Sequence, residues 1–181
     1  MARIRWALAA LLALMVLTQS AAAADGAALL TITGDIENTN RGPFDAFKDG
    51  YLNARGMTFE KAFEFDEASL LSLPQRQVTV AAESWSASLA MSGPLLADVL
   101  QAAGATGKPI TVFALDGFGK PMTPEQVSAG DWVLATHANG VALGIGGRGP
   151  LWLVHDTGAA EATAQEERNW VWSVFHIAVG K

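Results

Sequence analysis

The sequence predicts a mixed α+β fold that is rich in β-sheet and has few, short helices. Short segments of β-branched or alternating apolar residues recur along the chain between turn signals. Few segments carry helix-boundary signals, and strands and helices do not alternate regularly as they do in a parallel, doubly wound sheet. The chain also has no internal repeat and, after its N-terminal segment, no low-complexity stretch.

Strands are predicted wherever such apolar runs are bounded by turn residues. In chain order they are Ala28–Ile36, Thr58–Asp66, Gln77–Ala82, Pro109–Leu115, Trp132–His137, Val141–Leu143, Leu151–His155 and Asn169–Val179. The Asn139-Gly140 pair predicts a hairpin turn between the fifth and sixth of these. Asn169–Val179 is apolar on both faces, so we expect it inside the sheet.

Helices are predicted where capping residues precede an apolar run. Asp66 is a candidate N-cap for Glu67–Ser72. Within Ser92–Gly104, Pro94 is expected in the first helical turn and Gly104 just past the end. Thr123-Pro124-Glu125-Gln126 matches a capping box, with a helix to about Ala129. Two polar stretches are expected to be loops: Glu37–Gly56, with at most a short helix, and Thr157–Glu167.

Residues 1–24 have the three parts of an export signal. Two arginines precede an unbroken apolar run, Trp6–Leu17, and Ala22–Ala24 gives a small-residue cleavage pattern. The run is too short to span a bilayer, and no cysteine follows it for lipid attachment. We therefore expect a signal peptide over residues 1–24 and one periplasmic domain over residues 25–181, a retained membrane helix being the alternative.

Composition excludes several classes of function. The chain has 12 basic and 18 acidic residues, a net charge of −6, so nucleic acid, which is bound by neutralising phosphates, is a poor partner. It has no cysteine, which excludes disulfides and thiolate metal ligands. Five tryptophans follow the export signal, and each needs a place in the core, an interface or a ligand site.

The common catalytic patterns are missing from the sequence. The serines near Trp85 lie in no Gly-x-Ser-x-Gly elbow. His137, His155 and His176 lack metal-ligand spacing, and His176 is expected to be a core residue. The glycines near Arg148 lead into a strand rather than a helix, unlike a phosphate-binding loop.

A ligand site remains, and the most informative stretch for it is Asn139–Asp156, where four glycines surround Arg148. Arginine offers a planar fork of donors to an acceptor-rich partner. Trp85 or Phe118 could stack on a flat heterocycle, and Asp116 could accept paired N–H donors. Loops at Trp85, Asp116–Phe118, Gly146–Gly149 and Arg168–Trp172 would have to converge on one rim.

Each of these residues also has an ordinary interpretation. The glycine-rich stretch is typical of a hairpin with a bend, in which Arg148 is only a surface residue. Asp116 precedes Gly117 and could simply be a turn residue, and Trp85 could be a core residue. Arg168 could pair with Glu166 or Glu167 at the surface, where such pairs contribute little.

Several pieces of the sequence, in their order and spacing, carry a resemblance to a known family. They are Leu30–Gly34, Trp85 to Leu100, Leu115–Phe118, Asp131–Asn139, Gly147–Val154 and Trp172. In this order the chain resembles the molybdopterin-binding domain of the sulfite oxidase family, specifically its short, exported, single-domain members. The resemblance implies that fold and a pterin site at Trp85, Asp116, Phe118, Arg148 and Trp172. The stretch Glu37–Lys61 is longer than the family pattern and matches it poorly.

One departure from the family pattern changes the expected function. Catalytic members bind molybdenum through a cysteine thiolate, but the corresponding region here is Ala81–Trp85 and contains none. The resemblance therefore implies a periplasmic sensor of a reduced pterin, without cysteine-ligated molybdenum, that signals to an inner-membrane cyclic di-GMP enzyme. Two alternatives remain: a molybdopterin-dependent oxidoreductase with Ser84 or Ser86 as the ligand, and a ligand-free interaction domain.

Overall fold

The structure, a computed structural model, describes residues 25–180, so the export signal predicted for residues 1–24 lies outside the described residues. Within the described part the chain forms two sheets and five short helices, which confirms the sheet-rich α+β prediction. The strands are β1 (Leu30–Gly34), β2 (Ala62–Phe65), β3 (Gln75–Val80), β4 (Leu89–Pro94), β5 (Ile110–Ala114), β6 (Gly119–Met122), β7 (Trp132–Ala135), β8 (His137–Ala138), β9 (Val141–Ala142), β10 (Leu151–His155) and β11 (Val171–Val179). The helices are α1 (Gly50–Ala54), α2 (Glu67–Ser72), α3 (Leu96–Ala102), α4 (Pro124–Ala129) and α5 (Ala164–Glu167).

The last strand, β11, organises the larger sheet. Its first half pairs antiparallel with β10, its second half pairs parallel with β1, and β5 pairs with it antiparallel. The sheet runs β2-β1-β11-β10-β7, and β6 joins through β5. β11 is nearly all buried, as predicted from its two apolar faces. His176 on this strand is buried, and its Nε2 lies 2.8 Å from the hydroxyl of Thr33.

The smaller sheet has the order β3-β4-β8-β9 and packs against one end of the larger one. Two hydrophobic clusters result. One fills the space between the larger sheet and the helices α2 and α3. The other lies between the sheets and contains Trp152 and Trp170, with Trp85 packed against it. This second cluster forms the base of the candidate site.

The predicted capping signals are confirmed at two helices. α2 begins after Asp66 and α4 after Thr123, each with a reciprocal capping box. The Asn139-Gly140 hairpin is also confirmed, with both residues at positive φ between β8 and β9. These features involve residues close together in the sequence, which is why a local pattern predicts them.

Three predictions of the elements were wrong in detail. Pro94 lies at the end of β4 rather than in a helix, because Gly93 and Pro94 pair with β3; the helix α3 begins only at Leu96. Predicted strand Trp132–His137 is divided, because β7 belongs to the larger sheet and β8 to the smaller. Predicted strand Thr58–Asp66 is paired with β1 only over Ala62–Phe65.

Four elements were absent from the predictions or stated only weakly. One of them is β4, where no strand was predicted. β6 follows the Asp116 turn and pairs with β5. α5 lies in the stretch Thr157–Glu167 that was expected to be a loop, and Thr163 caps it through a capping box. The long stretch before β2 contains α1. No helix within residues 25–180 is long and apolar enough to cross a membrane.

The cap at Asp66 predicts a specific loss of stability in acid. Its carboxylate accepts hydrogen bonds from the hydroxyl and N–H of Ser69 and from the N–H of Gly26, which together lower the pKa of Asp66 from 3.8 to about 2. Because the folded pKa lies below the unfolded value, this stabilisation is complete above about pH 4 and is lost as the pH falls through 2.

We therefore expect the melting temperature of the wild type to fall more steeply between pH 4 and pH 2 than that of Asp66→Asn, which keeps an acceptor but cannot titrate. At neutral pH, Asp66→Ala should melt about 2–4 °C lower than the wild type, the effect of losing one cap in a domain of this size. Parallel acid profiles for wild type and Asp66→Asn would contradict this account. Thermal unfolding followed by circular dichroism makes the measurement.

Candidate functional site

A cavity of about 530 Å³ opens where the glycine-rich loop, the turn after β5 and the segment from α5 into β11 meet. Its volume is within the range of about 300–1,000 Å³ that is usual for small-molecule sites. The residues that line it are Ala114, Asp116, Phe118, Arg148, Trp152, Ala164, Glu167, Arg168, Trp170, Val171 and Trp172. The lining thus contains four aromatic and four charged residues, and both signs of charge are present.

The loop around Arg148 is folded by its own backbone. The N–H groups of Gly147 and Gly149 both donate to the carbonyl of Gly144, at 3.2 and 3.1 Å. A side chain at Gly149 would overlap the carbonyl of Leu143, so only glycine fits there. The carbonyl of Arg148 accepts a hydrogen bond of 2.8 Å from the N–H of Ser173, which ties the loop to β11.

The guanidinium of Arg148 lies over two indole rings. Its central carbon is 4.5 Å from the ring centre of Trp152 and 5.3 Å from that of Trp85. Both distances are within the range for attraction between a cation and an aromatic face. Among the described residues no carboxylate forms an ion pair with Arg148. Its N–H donors are therefore available to an acceptor in the cavity.

Trp85 supports Arg148 from behind the cavity wall. Its ring centre is 5.5 Å from those of both Trp152 and Trp170. Its indole N–H donates to Glu167 at 2.9 Å, and the hydroxyl of Ser84 donates to the other oxygen of that carboxylate at 3.0 Å. Glu167 thus fixes the position of Trp85, and the ring of Trp85 in turn contacts the guanidinium of Arg148.

The base of the cavity contains a buried polar atom. Trp152 is only 2% exposed, and its indole nitrogen has no hydrogen-bond partner among the described residues. Most buried N–H groups are paired with protein or with water, and an unpaired one in a cavity wall is unusual. Because the nitrogen is also inaccessible to solvent, it belongs to the packed wall beneath the cavity and is not a donor to the cavity's contents.

The opposite rim is formed by the turn after β5 and by the start of β11. Asp116 accepts a hydrogen bond of 2.8 Å from the N–H of Phe118, and the carbonyl of Phe118 accepts one from Ala114. Asp116 is therefore a turn residue, as its ordinary interpretation predicted, and it also lines the cavity. Phe118 and Trp172 are 47% and 46% exposed, so their rings are accessible at the rim.

The short helix α5 brings two charged residues to the cavity, Glu167 and Arg168. Its capping residue Thr163 donates its N–H and hydroxyl to Glu166, and these bonds, the backbone one first, lower the pKa of that carboxyl. Arg168 donates to Gln165 at 2.8 Å rather than pairing with Glu166 or Glu167 as the sequence suggested. The cap therefore stabilises the start of α5, and the hydrogen bonds from Ser84 and Trp85 to Glu167 hold its end at the cavity.

The structure brings the five predicted site residues together. Asp116, Phe118, Arg148 and Trp172 line the cavity, and Trp85 lies directly behind Arg148. Trp170 lies in the predicted rim segment Arg168–Trp172, whereas Trp152 and Glu167 were not predicted as site residues. Trp152 is part of an apolar strand that is indistinguishable from core by pattern. Glu167 lies in a stretch expected to be a loop, although Thr163 and Glu166 have the spacing of a capping box.

The residues of this site do not fit a thiolate-ligated molybdenum centre. The chain contains no cysteine, and the segment Ala81–Trp85 instead places a buried Ala82 and the Glu167-bonded Ser84 beside the cavity. No cluster of three metal-ligating side chains occurs within residues 25–180. The residues of the cavity do fit a flat, polar-edged heterocycle, which could use the aromatic faces, the arginine and the carboxylate.

Comparison with solved structures agrees with this fold. The chain is similar to the crystal structure of the sulfane dehydrogenase SoxCD from Paracoccus pantotrophus, with a TM-score of 0.55 and 21% sequence identity over 84% of this chain and 38% of that chain. SoxC belongs to the sulfite oxidase family, so the predicted fold is confirmed. This chain spans well under half of that enzyme chain. No family profile and no curated protein matches the sequence.

The close approach at Gly149 predicts which glycines the Arg148 loop requires. Gly149→Ala would force the new methyl group into the carbonyl of Leu143, so we expect a loss of about 1–3 kcal/mol in the free energy of unfolding, the usual cost of overpacking. Gly144→Ala is the matched control, because nothing lies within 4 Å of a methyl group there. Urea unfolding compares the two, and equal stability of both variants would contradict the described loop.

Proposed function

We propose that this protein is a pterin-binding protein that recognises a reduced pterin or a similar flat heterocycle and does not turn it over. The observation that carries the proposal is the position of the Arg148 guanidinium, which lies over the rings of Trp152 and Trp85 at the cavity wall. No carboxylate within residues 25–180 forms an ion pair with it. A donor fork held in this way, beside ring-sized apolar faces, is suited to a planar ligand with acceptor atoms on its edge.

The remaining groups suit the other edges of such a ligand. The pyrimidine ring of a pterin carries a carbonyl and, at the next two ring positions, a ring N–H and an amino group that are both donors. Arg148 can donate to the carbonyl, and the carboxylate of Asp116 can accept from the N–H groups. The exposed rings of Phe118 and Trp172 can stack on the ligand faces. These roles are what the proposal assigns to the four residues.

The charge of the cavity supports a neutral ligand. Two carboxylates, Asp116 and Glu167, are matched by two guanidinium groups, Arg148 and Arg168. A ligand with several phosphates would gain little from such a balance, whereas a neutral heterocycle can use both signs of charge for hydrogen bonds. Reduced pterins are neutral near pH 7 and present both kinds of edge.

The proposed biological role is that of a periplasmic sensor. The signal-like residues 1–24 support export, and the resemblance to short exported members of the sulfite oxidase family supports signalling to an inner-membrane enzyme that makes or breaks cyclic di-GMP. Deleting the gene should change cellular cyclic di-GMP, and a plasmid copy with wild-type sequence should restore it. An unchanged level of cyclic di-GMP after deletion would remove this part of the proposal.

Calorimetric titration of the domain over residues 25–181 with tetrahydrobiopterin tests the binding. We expect saturable binding, and Arg148→Met should weaken it about ten- to hundredfold, the range for losing hydrogen bonds to a charged group. Arg76→Met, an exposed arginine on β3 that does not line the cavity, is the matched control and should bind like the wild type. A folded protein that gives no heat with tetrahydropterins, or that loses nothing in Arg148→Met, would overturn the proposal.

A second candidate is a molybdopterin-dependent oxidoreductase, favoured by the fold similarity to a sulfane dehydrogenase. Protein purified from its native periplasm separates the two. The pterin-binding proposal predicts that elemental analysis finds far less than one molybdenum per chain. One molybdenum per chain in the wild type, and its loss in a Ser84→Ala variant, would instead favour the oxidoreductase.

A further inference from the structure

The stretch before β2, which matches the family pattern poorly, reaches the candidate site through a continuous path of hydrogen bonds. Tyr51 lies on α1, and Arg55, one turn further along, follows its last residue as the C-cap. The hydroxyl of Tyr51 and the Nη2 of Arg55 both donate to the carbonyl of Leu115, the latter at 2.6 Å, and Nη2 also donates to the Tyr51 hydroxyl at 3.0 Å. The guanidinium lies 5.3 Å from the centre of the Tyr51 ring. We call this pair and its acceptor the α1 clamp.

The α1 clamp also supports the turn that carries Asp116. A side chain at Gly117 would overlap the guanidinium of Arg55, so the arginine lies directly against the turn backbone. Gly117 is at φ +95°, which allows the turn without strain. The ring of Tyr51 packs edge-on against Phe175 of β11, at 5.2 Å between centres. The clamp is thus fixed both to the turn and to the central strand.

From Leu115 the path continues to the cavity arginine through two backbone hydrogen bonds. The N–H of Leu115 donates to the carbonyl of Ser173 at 3.0 Å, and the N–H of Ser173 donates to the carbonyl of Arg148 at 2.8 Å. Ser173 is at φ +54°, a left-handed conformation that costs a non-glycine residue free energy. The pairing of β11 with β10 shifts register between Val171 and Val174, and its pairing with β5 shifts between Val174 and His176. Strained residues of this kind persist where their surroundings hold them.

We infer that Tyr51 and Arg55 are positioning residues for the ligand site: by holding the peptide of Leu115 they fix the Asp116 turn directly and the backbone of Arg148 through Ser173. The ligand part of this inference rests on the proposed function, whereas the positioning part concerns the protein alone. The inference gives a role to the stretch that contains α1, which would otherwise be only a surface segment. The clamp residues themselves do not line the cavity.

Amide hydrogen exchange of the domain without ligand tests the positioning part. In the double variant Tyr51→Phe/Arg55→Met, the amides of Leu115 and Ser173 should exchange about tenfold faster than in the wild type. Local opening at these amides would no longer require the hydrogen bonds of the clamp to break, so it would cost less free energy. Lys48→Met is the matched control: it removes a positive charge from the same stretch without touching the clamp. Arg55→Lys, which keeps a positively charged donor group but not the planar guanidinium, should recover part of the protection. Unchanged exchange at both amides in the double variant would overturn the inference.

Titration of the same variants with tetrahydrobiopterin tests the ligand part. The double variant should bind about three- to thirtyfold more weakly than the wild type, the usual size of coupling through such a network, while Lys48→Met binds normally. Faster exchange with unchanged affinity would overturn the ligand part of the inference, because the clamp would then hold the backbone without affecting ligand binding. If the wild type binds no tetrahydropterin, the proposed function fails, and the exchange experiment still decides the positioning role by itself.

Discussion

The site depends on how the guanidinium of Arg148 is held over the rings of Trp152 and Trp85. Such stacking contributes about 0.5–1 kcal/mol when exposed and about 2 kcal/mol when desolvated. That is modest, yet it sets which way the donor fork faces, because the loop itself contains mostly glycine and has little stiffness. Trp152 is fixed by the core between the two sheets, and Trp85 by its hydrogen bond to Glu167. The orientation of the Arg148 side chain therefore depends on both sheets and on α5.

The same dependence explains the irregular centre of β11. A regular strand would carry its pairing unchanged from β10 to β1, but Ser173 breaks it and turns its peptide toward the Arg148 loop. The free energy spent on this left-handed residue is offset by hydrogen bonds on both of its backbone groups. Strand, glycine loop and α1 are in this way parts of one arrangement around the cavity. The geometry is consistent with a site built for recognition, in which fixed donors and acceptors meet a rigid ligand.

The sequence was informative where structure is decided locally. The caps at Asp66 and Thr123 and the Asn139-Gly140 turn depend on residues within a few positions, and all three were predicted. The divided strand at Trp132–His137 was not, because only packing against β4 and β10 decides to which sheet each half belongs. The boundary of α3 was wrong for a similar reason: ladder pairing with β3 outweighed the usual preference of proline for a first helical turn.

The candidate site shows the same division. Arg148 was identified because four glycines around one arginine are unusual in any local context. Trp152 and Glu167 were missed because an aromatic residue in an apolar strand, or an acidic residue in a polar stretch, has no local mark of function. Their importance comes from contacts that span many residues, such as that between Trp85 and Glu167. The α1 clamp belongs to this second class.

The central claim is that a cysteine-free chain on this fold uses the Arg148 cavity to recognise a planar heterocycle. A crystal structure of residues 25–181 grown with a tetrahydropterin tests it most directly. The account predicts the ligand between Phe118 and Trp172, with its carbonyl edge at Arg148 and its N–H edge at Asp116. A ligand bound elsewhere, for example in the smaller cleft beside Trp132 and His155, or a fully formed metal centre in this cavity, would contradict it.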